Sequence, residues 1–314
     1  MQLFTLRAGS AAAPAVRVGD QLLNLNAAAE ILPAARLVPN SVRGILEANH
    51  AGLDLVRRLA DAAAGPAAVE LRDKGVLVEL DTAPLLAPIP DPGILLACGR
   101  NYHGHLREMK TSPPKEPAAF TKSVASIIGP ETPIRPPRSH PDMVDWEGEF
   151  TVVIGRRCHA VSAKDAMDYV VGYTLINDVS ARDWVAAVSQ ATGTMGPIEA
   201  WDRNRLGKMF PTFCPLGPAV VTKDELPDPG NVRLITRLNG RPMQDAHTSD
   251  LVFGVAEIVA YFSQFYQFRP GDVITTGSPE GVGYGFDPRI FMRPGDVVEV
   301  EVKEIGVLRN PVIG

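Results

Sequence analysis

The stretch Asp145-Trp146-Glu147-Gly148-Glu149-Phe150-Thr151-Val152-Val153-Ile154 puts two glutamates at the head of an apolar, β-branched run. Such a run reads as a buried strand. Side chains two apart on a strand share a face, so Glu147 and Glu149 point the same way. Two carboxylates side by side repel, and burial makes the repulsion costlier. Either a hard cation lies between them or the pair marks a solvated strand edge. Asp178 bears on the choice. It ends a second apolar run, Tyr169 to Asp178, and can supply a third hard oxygen ligand. Three carboxylates suit Mg²⁺ or Mn²⁺, with Ca²⁺ possible. Zinc fits less well, because neither an HExxH motif nor a paired CxxC occurs.

Outward from this stretch the sequence is rich in strands. The runs at 94–99, 150–155, 169–178, 219–223, 232–240, 272–277 and 296–302 are short, β-branched and bounded by Gly, Pro or Asp. Helices are expected at Ser162 to Tyr169, opened by Ser162-x-x-Asp165, and from Val255 to about Tyr266. The latter has Val255, Ile258, Val259, Phe262 and Phe265 on one stripe. Strands with few intervening helices argue for an α+β body and against a regular βαβ alternation. The first ~85 residues differ, being rich in Ala and Leu with a helical pattern after Ser41. Proline-dense Pro84 to Gly93 reads as a linker. The expected division is a small N-terminal accessory domain, 1–85, and a catalytic domain, 86–314.

The chain has 314 residues, 45% of them hydrophobic and 21% charged, so a sizeable core can form without disulfides. A net charge of −5, with Lys and Arg scattered, disfavours nucleic acid and anionic membranes as partners. Cys98, Cys158 and Cys214 lie far apart and read as free, buried thiols. Without a signal-peptide pattern or a long apolar run, a soluble cytoplasmic protein is expected.

Two further stretches carry chemistry. In Gly99 to Met109, His105 and Glu108 stand i, i+3 and can touch on one helical face. A carboxylate beside an imidazole orients it and raises its basicity, and an HxxE can equally be a surface ion pair. The loop Thr275 to Gly283 follows a strand and offers backbone N–H groups to an anionic ligand, or is simply flexible. No GxSxG motif supports a serine hydrolase.

Taken in order, these pieces resemble the fumarylacetoacetate hydrolase family. The matching residues are GRNYxxHxxEM at 99–109, FTKS at 120–123, WEGEFTVVIG at 146–155 and NDVSARD at 177–183. They continue with GKMFPTF at 207–213, NGRPMQ and Thr248 within 239–248, and PGDVITTGSPEGVG at 270–283. The resemblance implies a mixed β-sandwich roll beside a small N-terminal α/β domain, and a homodimer. It implies Mg²⁺ or Mn²⁺ on Glu147, Glu149 and Asp178, a His105–Glu108 proton-moving pair and a positioned Lys208. Small 2-oxo acids are the implied substrates, with Arg100, Tyr102, Lys122, Arg182, Gln244, Thr276, Gly277 and Ser278 as candidate contacts.

The sequence departs from the family pattern in three places. Ser278 stands where many members have Thr, and His103 where relatives often have a small residue. The segment 184–207 looks longer than in compact members, as a lid or a surface insertion. The expected reaction is hydrolytic C–C cleavage of an acylpyruvate-like substrate through an enolate. Alternatives are decarboxylation or keto–enol tautomerisation of an oxaloacetate-like diacid at the same site, or a non-catalytic metal-binding scaffold.

Overall fold

The computed structural model describes residues 1–314. Every strand expected above forms, and most of them join one twelve-stranded sheet. Its middle runs Gln2–Ala8, Cys214–Thr222, Val170–Asn177, Gly148–Ile154, Val273–Thr275 and Leu95–Gly99. A separate four-stranded antiparallel sheet holds Arg241–His247, Arg233–Leu238, Val297–Val302 and Gly306–Pro311 in that order.

The central strands are buried on both faces, which is why their sequences are nearly continuous apolar runs. Phe150, Val152 and Ile154 face one cluster, with Val300, Leu308 and the Val255–Ser263 helix. Val153, Ile176, Val220 and Val273 face the other, with Val42, Ile45, Val56 and Leu59 of the N-terminal helices. The chain is therefore a mixed α+β fold. Each fully buried Val, Leu or Ile contributes roughly 1.5–3 kcal/mol.

The N-terminal stretch contains strands as well as helices. Gln2–Ala8 pairs with Cys214–Thr222 through Gln2↔Val221 and Leu3↔Val220, extending the sheet. Ser41 Oγ accepts from the Gly44 N–H at 3.0 Å and starts the Val42–Glu47 helix, with Asn49–Ala64 following. Residues 84–93 are not an exposed linker: Leu85–Leu86 pairs with Gln2–Ala8, and Ala87 and Ile89 are buried.

Two expected helices come out shorter. In the first, Ser162 Oγ donates to Asp165 Oδ2 at 2.8 Å and accepts from the Asp165 N–H at 3.3 Å, but only a 3₁₀ turn, Ala166–Asp168, follows. A strand starts at Val170, leaving too few residues to nucleate an α-helix. The second stops at Ser263, whose Oγ donates back to the Ala260 carbonyl. Phe265 thus falls outside the stripe and is 68% exposed, while Phe268 takes the buried position.

Candidate metal centre and active site

Glu147 and Asp178 lie at the ends of adjacent antiparallel strands, Gly148–Ile154 and Val170–Asn177, in the register Gly148↔Asn177. The Asp178 N–H donates to the Glu147 carbonyl at 2.8 Å, and the Glu147 N–H donates to Asn177 Oδ1 at 2.9 Å. Glu149 is the second residue of its strand and wholly buried. One oxygen from each of the three carboxylates lies within 4.8 Å of the others.

Three cationic side chains surround them. Lys208 Nζ donates to Glu147 Oε2 at 2.7 Å and to Asp178 Oδ2 at 2.6 Å, with the Phe120 ring 5.7 Å away. Lys122 Nζ donates to Asp178 Oδ1 at 2.6 Å and to the Lys208 carbonyl at 2.5 Å. Arg182 reaches Glu147 Oε1 through Nη1 at 2.7 Å and Asp145 Oδ2 through Nε at 2.8 Å. Its Nη2 is buried without a partner.

Four buried carboxylates, Asp145, Glu147, Glu149 and Asp178, thus meet three cations, and the pairing is uneven. Both oxygens of Glu149 lack a hydrogen-bond partner. Burial, then Asp178 and Glu147, push its carboxyl well above the usual range. For Glu147 burial acts in the same direction, but Lys208 and Arg182 override it and hold the group at about 2. Burial would lower Lys208, yet Asp178 and Glu147 raise it. A buried unpaired carboxylate costs several kcal/mol. A hard divalent cation with oxygen ligands answers that cost, so the donor set fits Mg²⁺ or Mn²⁺ chemically.

The second component is a short helix, His103–Glu108. His105 Nδ1 lies 3.0 Å from Glu108 Oε2, and Glu108 Oε1 accepts from the Gly281 N–H at 2.9 Å. Both side chains are half-buried, and the pair is fixed to the 278–285 loop.

The other candidates vary in what they contact. Gln244 Nε2 donates to Ser278 Oγ and the Pro279 carbonyl, both at 2.9 Å, while its Oε1 accepts from the Gly148 N–H at 3.0 Å. Thr276 Oγ1 donates to the Phe150 carbonyl at 2.9 Å. Gly277 has φ +90° and packs on Asn101. The Tyr102 hydroxyl is buried without a partner. Arg100 is exposed at φ +57°, away from the ion pairs. Sequence reasoning missed Asn101, whose Nδ2 ties the Thr276 and Phe253 carbonyls together, and Asn177 and Asp145. Asn101 and Asn177 stood inside matched motifs without a role given to them, and Asp145 carried a parity signal, standing two before Glu147.

Comparison with known proteins places this architecture. The model of the fumarylacetoacetate (FAA) hydrolase C-terminal family matches residues 95–313. The chain belongs to the fumarylacetoacetate hydrolase family. Human oxaloacetate tautomerase FAHD2B, mitochondrial, is 40% identical over 296 residues, covering 94% of this chain and 85% of that one. The Xenopus laevis mitochondrial oxaloacetate tautomerase fahd2 is 44% identical over 229 residues, 73% of this chain and 68% of that one. Among solved structures, fumarylacetoacetate hydrolase from Exiguobacterium antarcticum matches with TM-score 0.74 and 28% identity. The match covers 100% of this chain and 99% of that one. Members of the family thus include tautomerases and hydrolases, and this chain is an enzyme of the metal-dependent type. No helix is long and apolar enough to cross a membrane.

Proposed function

We propose that this enzyme interconverts the keto and enol forms of a small oxaloacetate-like 2-oxo diacid. The divalent cation, Mg²⁺ or Mn²⁺, would be held by Glu147, Glu149 and Asp178. The hydrolytic reading expected from the family as a whole gives way here to its alternative. Several relatives matched over 94% of this chain are named oxaloacetate tautomerases. The observation that carries the site's part is the Glu149 carboxylate, buried without a hydrogen-bond partner and within 4.8 Å of oxygens of Glu147 and Asp178.

When bound, the cation supplies Lewis-acid stabilisation of negative charge at the 2-oxo group. The chain's own residues do the rest. His105, with Nδ1 held by Glu108, presents Nε2 to take the proton from the carbon next to the keto group. Glu108 stabilises the imidazolium so formed, whose Nε2 then gives the proton to the 2-oxygen to complete the enol. In the reverse direction Nε2 takes the enol O–H proton and returns it to carbon. Arg182 Nη2, the one guanidinium nitrogen left over, is suited to the distal carboxylate. Lys122 and Lys208 keep the pocket cationic for a diacid.

The test is to give the Mn²⁺-loaded protein oxaloacetate and then acetylpyruvate. Enol absorbance, CO₂ release and acyl cleavage are followed separately. Faster enol decay, with no CO₂ and no cleavage, is expected. Cleavage of acetylpyruvate with the oxaloacetate enol unaffected would return the site to hydrolysis.

A further inference from the structure

Asp145 belongs neither to the carboxylate trio nor to the His105–Glu108 pair, yet it touches the supports of both. Its side chain is wholly buried and accepts four hydrogen bonds. Oδ1 accepts from the N–H of Trp146 at 2.8 Å and of Gly283 at 2.7 Å. Oδ2 accepts from the Tyr284 N–H at 3.0 Å and from Arg182 Nε at 2.8 Å. Through Arg182 it reaches Glu147 Oε1. The 281–285 loop lies between two carboxylates. Asp145 lies against Gly283, where an added Cβ would come 2.7 Å from Oδ1. Glu108 lies against Gly285, where a Cβ would come 2.3 Å from Oε1. The same loop gives Glu108 the Gly281 N–H, and Trp146 Nε1 holds the Gly281 carbonyl at 3.0 Å. A short turn is thus clamped from both sides, with no room for slack.

We propose that Asp145 is a positioning residue that keeps the carboxylate cluster and the His105–Glu108 pair in register. It acts through Arg182 on one side and through the 281–285 loop on the other. The proposal rests on the reading of His105 and Glu108 as the proton-moving pair. A carboxylate is required because all four of its neighbours donate. An amide would turn a donor of its own toward Arg182 or a backbone N–H.

The experiment uses the full chain loaded with Mn²⁺. In Asp145→Asn, Mn²⁺ affinity and KM for oxaloacetate weaken by no more than a few-fold through the loosened Arg182, while kcat falls about 10- to 100-fold from misplacement of the base. Nitrogen-15 spectra of the His105 ring provide a readout independent of turnover. Wild type shows a proton fixed on Nδ1, and the variant shows a mixture of tautomers. Gly283→Ala, whose Cβ would come 1.9 Å from the Ile290 carbonyl oxygen as well as 2.7 Å from Asp145 Oδ1, displaces the same loop with the carboxylate intact, and reproduces that spectrum should Asp145→Asn fail to fold. In a Glu108→Gln background, Asp145→Asn costs less than about twofold further, because both act through one element.

A wild-type His105 spectrum in both Asp145→Asn and Gly283→Ala would overturn the proposal. So would a full, additive loss in the Glu108→Gln background. If Glu108→Gln alone turns over like wild type, the functional reading fails, and the His105 spectrum alone then decides the role of Asp145.

Discussion

The carboxylate cluster and the 184–207 segment meet at Lys208, yet they are built in opposite ways. Glu147, Glu149 and Asp178 stand on or beside central strands that are buried on both faces. Asn177 holds the backbone at Glu147, and three cationic side chains fix the carboxylates of Glu147 and Asp178. The adjoining segment forms two helices, Val185–Gln190 and Met195–Leu206, with no side-chain hydrogen bond at either N-terminus. Met195, Ile198, Trp201 and Leu206 are exposed along it. The contrast suggests a division of labour. Proton movement at a 2-oxo acid needs fixed charges, which strands provide. The adjoining helices, with their exposed apolar side chains, are the candidate for discrimination between substrates at the distal end.

The largest effect comes from asking how far the fixed half extends. The strand Cys214–Thr222, beside Val170–Asn177 and so next to Asp178, is itself paired with Gln2–Ala8. Removing residues 1–85 would bare Val153, Ile176 and Val220. Such a chain should be insoluble or aggregated by size-exclusion chromatography. A soluble 86–314 fragment that binds Mn²⁺ would instead show that the cluster needs no N-terminal support.

Next in size is the proton-moving pair. His105→Ala should lower kcat by about 10²–10⁴-fold, the range for loss of a general base, while leaving Mn²⁺ binding intact. Steady-state kinetics and metal titration together check this. Equal loss of both would mean that the helix supports the cluster and does not act beside it.

A smaller, selective effect is expected in the segment itself. Ile198→Ser with Trp201→Ser should shift KM or substrate preference. Thermal stability should move by no more than about 0.5 kcal/mol, as for other exposed positions. A large fall in melting temperature would show that these residues pack more firmly than their exposure indicates.

The smallest effect lies where the N-terminal strands meet the body. Burial would raise Asp224, but the Thr222 hydroxyl, the N-terminal amine and Arg57 hold it below its ordinary 3.8. A carboxyl depressed on folding adds stability that is present above 3.8 and is lost as pH falls through its folded value. Asp224→Asn should therefore be less stable than wild type at pH 7, with the two converging in acid. Melting curves across pH decide it. A constant gap at all pH values would assign the effect to packing.

Much of this molecule could be read from its sequence. Alternating and β-branched runs located the strands, and Glu147-x-Glu149 with Asp178 located the cluster, because strand parity determines which side chains meet. The His105–Glu108 contact followed from helical spacing. The sequence was silent wherever contacts cross between distant segments. Asn101 tying down Thr276 is one case, and Gln244 committed to Ser278 and Gly148 is another. Pro84 to Gly93 looked like a linker because proline bars helices and central strands. Those residues found a place along the side of the sheet instead.

The central claim is that the bare carboxylate of Glu149 makes this a cation site. Electron paramagnetic resonance titration with Mn²⁺, on the wild type and Glu149→Gln, tests it most directly. One Mn²⁺ bound per wild-type chain, and binding lost in Glu149→Gln, is the predicted result. Equal binding by the two proteins would contradict the account.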